Sequence, residues 1–170
     1  MSFAKIKKQF FFAAQENSAD QNLETLSHAI MEVPAGESSA YMVFCSFSGA
    51  LAKAAEMAKS ERIILVIDEY PYLAQADRGI SSLLQNYLDH QFKGTQLFLI
   101  LCGSSMSFME NQVLGYQSPL YGRRTAQFKI QPFDYLDTGK WFPDYSYEDK
   151  AFMYGISGGI PMYLEQFSPK

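Results

Sequence analysis

Five consecutive apolar residues, Ile63 to Ile67, four of them β-branched, run directly into Asp68 and Glu69. A run this short and this apolar keeps no polar face for water. It fits a strand buried on both faces of a parallel sheet. Open parallel sheets place their chemistry just beyond the carboxyl ends of the strands. A strand that ends in Asp-Glu therefore sets two carboxylates where a ligand would sit.

The rest of the chain supplies elements that suit such a strand. Gln9 to Ala14 reads as a short buried strand, with Asn17, Ser18 and Asp20 as helix N-cap candidates. Leu23, Leu26, Ile30 and Met31 recur at helical spacing, and Pro34 with Gly36 stops that helix. Tyr41, Met42, Val43, Phe44 and Phe47 call for burial. Ser48 is placed to cap a helix carrying Leu51, Ala54, Ala55 and Ala58. After Pro71 closes the acidic strand, Asp77 is placed to cap a helix with Ile80, Leu83, Leu84, Tyr87 and Leu88 on one stripe, ended by Gly94. Gln96 to Cys102 is a second continuous apolar run and predicts another buried strand, followed by Gly103-Ser104-Ser105 and a short helix to Glu110. Asn111 to Tyr121 reads as a loop. Ala126 to Ile130 predicts a strand closed by Pro132. From Asp134 on, short helices are expected between Gly139, Pro143, Gly155 and Gly158-Gly159. Alternating strands and helices predict an α/β fold with a parallel sheet flanked by helices.

Bulk properties narrow the function. The 170 residues are 48% hydrophobic with 14 Phe and 11 Tyr, which favours a folded core over disorder. A net charge of −4 offers no general electrostatic grip on nucleic acid. Cys45 and Cys102 sit in apolar stretches, as buried thiols of a reducing compartment would. His28 and His90 lack the spacing of a zinc site. No apolar stretch approaches the length of a membrane span, and Phe10 to Ala14 is too short for a signal peptide, so a cytoplasmic protein is expected.

Four sets of residues bear on chemistry. Asp68 and Glu69 suit a hard cation with oxygen ligands beside a general base that polarises water, or they cap the turn before Pro71. Ser104 and Ser105 end the neighbouring strand, where a hydroxyl orients water or caps the next helix. Arg123 and Arg124 precede the last expected strand, where an arginine stabilises charge developing on a phosphoryl group or is simply solvated. Gly158-Gly159-Ile160-Pro161 is a tight turn into a helix, with glycines free to take positive φ and Pro161 suited to the first helical turn.

In order and spacing these pieces resemble the AAA+ ATPases of archaeal and bacterial type, relatives of the STAND group. The segments that carry the likeness are Phe10-Phe11-Phe12-Ala13-Ala14-Gln15-Glu16, Val66-Ile67-Asp68-Glu69-Tyr70-Pro71-Tyr72-Leu73, Leu101-Cys102-Gly103-Ser104-Ser105, Pro119-Leu120-Tyr121-Gly122-Arg123-Arg124-Thr125 and Gly158-Gly159-Ile160-Pro161-Met162-Tyr163-Leu164. The resemblance implies that Asp68 holds Mg²⁺ and Glu69 acts as catalytic base in a Walker B motif. Ser104 or Ser105 takes the sensor-1 position, and Arg123 or Arg124 the family's functional arginine. Gly159 and Pro161 belong to a lid motif near the nucleotide base. It also implies a P-loop NTPase-like core over residues 1–133 and the beginning of a helical lid over 134–170.

One departure is large. The family's strand, Gly-x-x-x-x-Gly-Lys-Ser/Thr loop and helix have no counterpart in this sequence. That loop's amides and lysine cradle the phosphates, and its hydroxyl binds Mg²⁺. The expectation is a fragment of an ATPase, with ATP and Mg²⁺ as ligands in the full-length protein, weak or no activity alone, and self-association through uncovered apolar surface. Two alternatives remain. One is a non-catalytic binding or scaffold module. The other is a different carboxylate-metal enzyme using Asp68, Glu69 and Asp144 or Glu148.

Overall fold

In the computed structural model, residues 8–31 and 43–167 are described. Three strands form a parallel sheet in the order β1 (Lys8–Ala13), β2 (Ile63–Asp68), β3 (Leu97–Leu101). β2 is central. Its Leu65 pairs with Phe10 on one side and with Leu99 on the other. Ile63, Ile64, Leu65 and Ile67 are buried, as a strand apolar on both faces requires.

Around the sheet lie α1 (Ala19–Met31), α2 (Phe47–Met57), α3 (Tyr70–Ala76) and α4 (Ile80–Asn86), the last continued by a π-helical turn, Tyr87–Gln91. After β3 come a single turn, α5 (Met106–Phe108), and a second π-helical turn, Met109–Val113. The sheet is thus flanked by helices, and the fold is α/β as expected. Alternation along the strands sends Phe10, Phe12, Ile63, Leu65 and Ile67 to one face. They join Leu26, Leu51, Leu73 and Leu84 of the four helices in one core cluster. Each of these fully buried side chains contributes about 1.5–3 kcal/mol, so this face carries most of the packing energy.

Local chemistry sets the helix ends. Ser18 Oγ accepts from Gln21 N, and Gln21 Oε1 accepts from Ser18 N, a reciprocal capping box. α2 starts two residues earlier than expected. Its cap is Ser46, which accepts from Gly49 N at 3.1 Å, and Ser48 instead bonds the Tyr87 hydroxyl. Pro71 does more than close β2, because it sits in the first turn of α3, where its missing N–H costs nothing. Asp77 caps no helix through its side chain. It ends α3, and its Oδ1 accepts from Gly79 N in an Asx turn before α4. Of the aromatic stretch before α2, Phe47 is buried and Val43 exposed, while Tyr41 and Met42 lie outside the described residues, as do Pro34 and Gly36.

Two strand expectations need correction. β3 is half-buried rather than buried, with Phe98 38% exposed, because among the described residues it pairs only with β2. Ala126 to Ile130 forms no strand. A strand is held by its ladder, and no described strand pairs with this one, so Phe128 and Ile130 stand 83% and 88% exposed.

The chain divides into a compact unit of residues 1–125 and a second of residues 126–170. The second holds α6 (Tyr135–Trp141), α7 (Tyr147–Ser157) and α8 (Pro161–Leu164), packed around Phe142, Met153 and Leu164. Asp134 and Ser146 cap α6 and α7. Gly139 and Gly155 lie inside these helices rather than between them.

Tyr70 generates a pH prediction. It is fully buried under the acidic strand end, and its hydroxyl meets Ser81 Oγ at 2.6 Å. Burial pushes its pKa up to about 12 from 10. The folded state therefore holds the proton more tightly than the unfolded state. The resulting stability, about 2–3 kcal/mol, is fully present below pH 10 and is lost as pH rises toward about 12. Chemical denaturation across that window should show the loss. Tyr70→Phe should flatten the alkaline slope, and an unchanged slope would contradict this account.

Candidate functional site at the carboxyl ends of the central strands

The site begins with backbone pinned from both sides. Ala14 N donates to Asp68 O at 2.9 Å, Cys102 N to Ile67 O at 3.0 Å, and Tyr70 N to Cys102 O at 2.9 Å. The chain therefore has no freedom to relax between Ile67 and Tyr70. Glu69 pays with a left-handed backbone, φ 48° and ψ 42°. It is the one non-glycine with positive φ among the described residues. Such a conformation costs on the order of 1–2 kcal/mol and marks a place where surrounding structure overrides local preference.

Two sets of bonds hold the acids. Glu69 N donates to Asp68 Oδ1 at 2.9 Å. Ser104 donates to Glu69 Oε2 through its hydroxyl at 3.2 Å and, more weakly, through its amide at 3.4 Å. Asp68, Glu69 and Ser104 thus converge across the ends of β2 and β3. Ser105 is at the start of α5, exposed, and its side chain makes no capping bond. Cys102 lies alongside, where burial pushes its thiol up and the charges of Asp68 and Glu69 push it further. Asp68 Oδ2 makes no hydrogen bond among the described residues.

Gly103 makes this convergence possible. A Cβ there would sit 2.6 Å from Pro71 Cδ and 3.1 Å from Met109 Sδ. Only glycine lets the end of β3 pass this close to α3 while Ser104 reaches Glu69.

The other predicted residues are placed differently. Arg123 forms a bidentate pair with Asp89, Nε to Oδ1 at 2.9 Å and Nη2 to Oδ2 at 2.7 Å, and Nη1 donates to Pro119 O and Tyr121 O. Four of its five guanidinium N–H groups are engaged within the first unit, and it holds the Asp89 carboxyl below the usual carboxylate range. Arg124 is exposed, with no ion pair among the described residues. In the second unit Gly159 has φ 72°, its carbonyl accepts from Phe133 N at 2.9 Å, and a Cβ on it would lie 1.9 Å from Phe133 O. Pro161 is the exposed first residue of α8. Gly159 thus has a packing duty in its own unit.

Three residues escaped the sequence reading. Asp89 stands in an unbroken helical pattern and gave no signal. Gly103 read as mere strand punctuation. Asn22 is buried on the Leu26–Ile30 stripe and clamps the loop after β1, donating to Gln15 O and accepting from Gln15 N. A polar residue on an apolar stripe was its available signal.

No group of three or more His, Cys, Asp or Glu is placed to hold a metal among the described residues. No described helix is long and apolar enough to cross a membrane.

Comparison with known proteins gives a consistent likeness. A family described as an ATPase domain predominantly from Archaea matches residues 3–167. An uncharacterized protein of Methanocaldococcus jannaschii is 42% identical over 103 residues, 61% of this chain and 24% of the relative. A second uncharacterized protein of that organism is 43% identical over 47 residues, 28% of this chain and 46% of the relative. The chain therefore spans less than half of either curated relative's length. No solved structure matches the chain.

Gly103→Ala should destabilise the first unit by about 1–3 kcal/mol through overpacking against Pro71. Denaturant unfolding measures it. In a Pro71→Ala background, which removes the ring atoms, the same substitution should cost markedly less. Equal costs in both backgrounds would contradict the close-approach account.

Proposed function

The chain belongs to the ATPase domain family found predominantly in Archaea, and on that premise we propose that Asp68, Glu69 and Ser104 form the metal- and water-handling half of an ATP-hydrolysing site. The observation that supports this is their convergence at the carboxyl ends of β2 and β3, with Glu69 held by Ser104. Asp68 fits Mg²⁺ as a single oxygen ligand, since that ion keeps several waters and takes the rest of its shell from substrate phosphates. When bound, the ion neutralises charge on the phosphates.

The chain's own residues do the rest. Asp68 holds the ion and, through Oδ1, fixes the Glu69 amide. Glu69 accepts the proton of the attacking water as general base. Ser104 fixes the Glu69 carboxylate by donating to Oε2, which leaves Oε1 for water. Ser104 is thus favoured over Ser105 for the sensor-1 role. Arg124, exposed, is favoured over Arg123 as the arginine that meets phosphate charge, because Asp89 already occupies Arg123. Gly159 and Pro161 are assigned to the region of the base on the family resemblance, within a lid over residues 134–170 that follows a core over 1–133.

The sequence holds no Gly-x-x-x-x-Gly-Lys-Ser/Thr. Phosphate ligands must therefore come from outside these 170 residues, and the chain alone should be weak or inactive toward ATP. The second reading, a binding module that does not hydrolyse ATP, is favoured by the same lack of a phosphate cradle.

Paramagnetic Mn²⁺ titration followed by NMR tests the metal half on this chain. Resonances of Asp68, Glu69 and Ser104 should broaden first, with affinity in the millimolar range expected of one carboxylate. Asp68→Asn should abolish the broadening. Broadening that ignores Asp68→Asn would overturn the assignment. Calorimetry should find no micromolar Mg²⁺-ATP binding, and finding it would refute the inactivity of the isolated chain.

A further inference from the structure

The second face of the sheet is only partly covered among the described residues, with Ile64 buried there and its neighbours not. All four helices that contribute to the core cluster pack on the face of Phe10, Phe12, Ile63, Leu65 and Ile67. The opposite face carries Phe11, Val66, Phe98 and Ile100, none of them buried, with Phe11 59% exposed. The pairing register aligns Phe11, Val66 and Ile100 in one row across the three strands. All-parallel sheets are found almost only with both faces covered, so this apolar row calls for an occupant.

Charge on the same face indicates which. Alternation along β2 places Arg62, Ile64, Val66 and Asp68 on this side. Arg62 leans over it, 5.9 Å from the Phe98 ring centroid. A cation therefore stands at one end of this face of β2 and a carboxylate at the other. A twofold axis in the plane between two such faces, perpendicular to the strands and level with Leu65, runs the strands of the two copies in opposite directions. It sets each Arg62 against the other copy's Asp68, and the row of Phe11, Val66 and Ile100 against the other copy's row of Gln9, Ile64 and Phe98. The face is self-complementary in charge as well as in hydrophobicity.

We propose that this sheet face joins two copies of the chain, Val66 and Ile100 packing on Ile64 and Phe98 of the other copy and Arg62 pairing with its Asp68. Three short strands offer less than the roughly 800 Å² per partner of a standard interface, so the dimer is weak and reversible. It uses the carboxylate assigned to Mg²⁺, and the two uses exclude each other. The proposal stands on the face itself and not on the ATPase reading.

Sedimentation equilibrium over a wide concentration range tests it. The chain should dimerise reversibly. Phe11→Glu should leave a monomer. Arg62→Asp and Asp68→Arg should each weaken dimerisation about tenfold or more, as like charges meet. An equimolar mixture of the two charge variants should recover it as a heterodimer, since both contacts are then complementary. Arg62 and Phe11 are exposed, so their variants test the face even where Asp68→Arg does not fold. A chain monomeric at every concentration, a dimer indifferent to Phe11→Glu and Arg62→Asp, or a mixture of folded charge variants no tighter than either alone would overturn the proposal.

Discussion

The hydrogen-bond ladders on both sides of β2 are the constraint on which the rest depends. β1 and β3 each pair with this strand and not with one another, so β2 alone joins the sheet. Its inward side chains, Ile63, Leu65 and Ile67, anchor the core to which four helices contribute. The ladder continues past the strand, where Ala14 N, Cys102 N and Tyr70 N each make a bond that fixes the next residue. The acids are therefore presented by a segment hydrogen-bonded on both sides.

That rigidity has a cost, and the cost falls on Glu69. A left-handed glutamate between a fully paired strand and a proline-started helix persists because neighbours over-determine it. Asp68 Oδ1, the Ser104 hydroxyl and the glycine at 103 all serve that one conformation. A strained conformation held by these contacts accords with the base proposed at Glu69. On the proposed reading, chemistry on ATP draws its phosphate ligands from elsewhere, since the sequence holds no Gly-x-x-x-x-Gly-Lys-Ser/Thr.

Much of this was legible in the residues. The continuous run Ile63 to Ile67 gave β2 and the place of Asp68 and Glu69, because an apolar run of that length has few other solutions. Helical spacing gave α1, α2 and α4 for the same reason. Failures came where a neighbour decides. Ala126 to Ile130 has strand composition but no described partner, and a strand cannot be read without its ladder. Ser46 outcompeted Ser48 as a cap because Ser48 had the Tyr87 hydroxyl to meet. Arg123 and Arg124 were equivalent on paper, and only the fold brings Asp89 to the first.

Native-state hydrogen exchange tests the central claim most directly. If β2 is the doubly held element, the amides of Ile64 to Asp68 exchange only through global unfolding. Tyr70, whose amide bonds Cys102 O, should be protected with them. Amides of Gln127 to Ile130 should exchange near the rate of unstructured chain. Fast exchange at Ile67 and Asp68, comparable to that of Gln127 to Ile130, would contradict the account, because the acids would then sit on a strand end that frays.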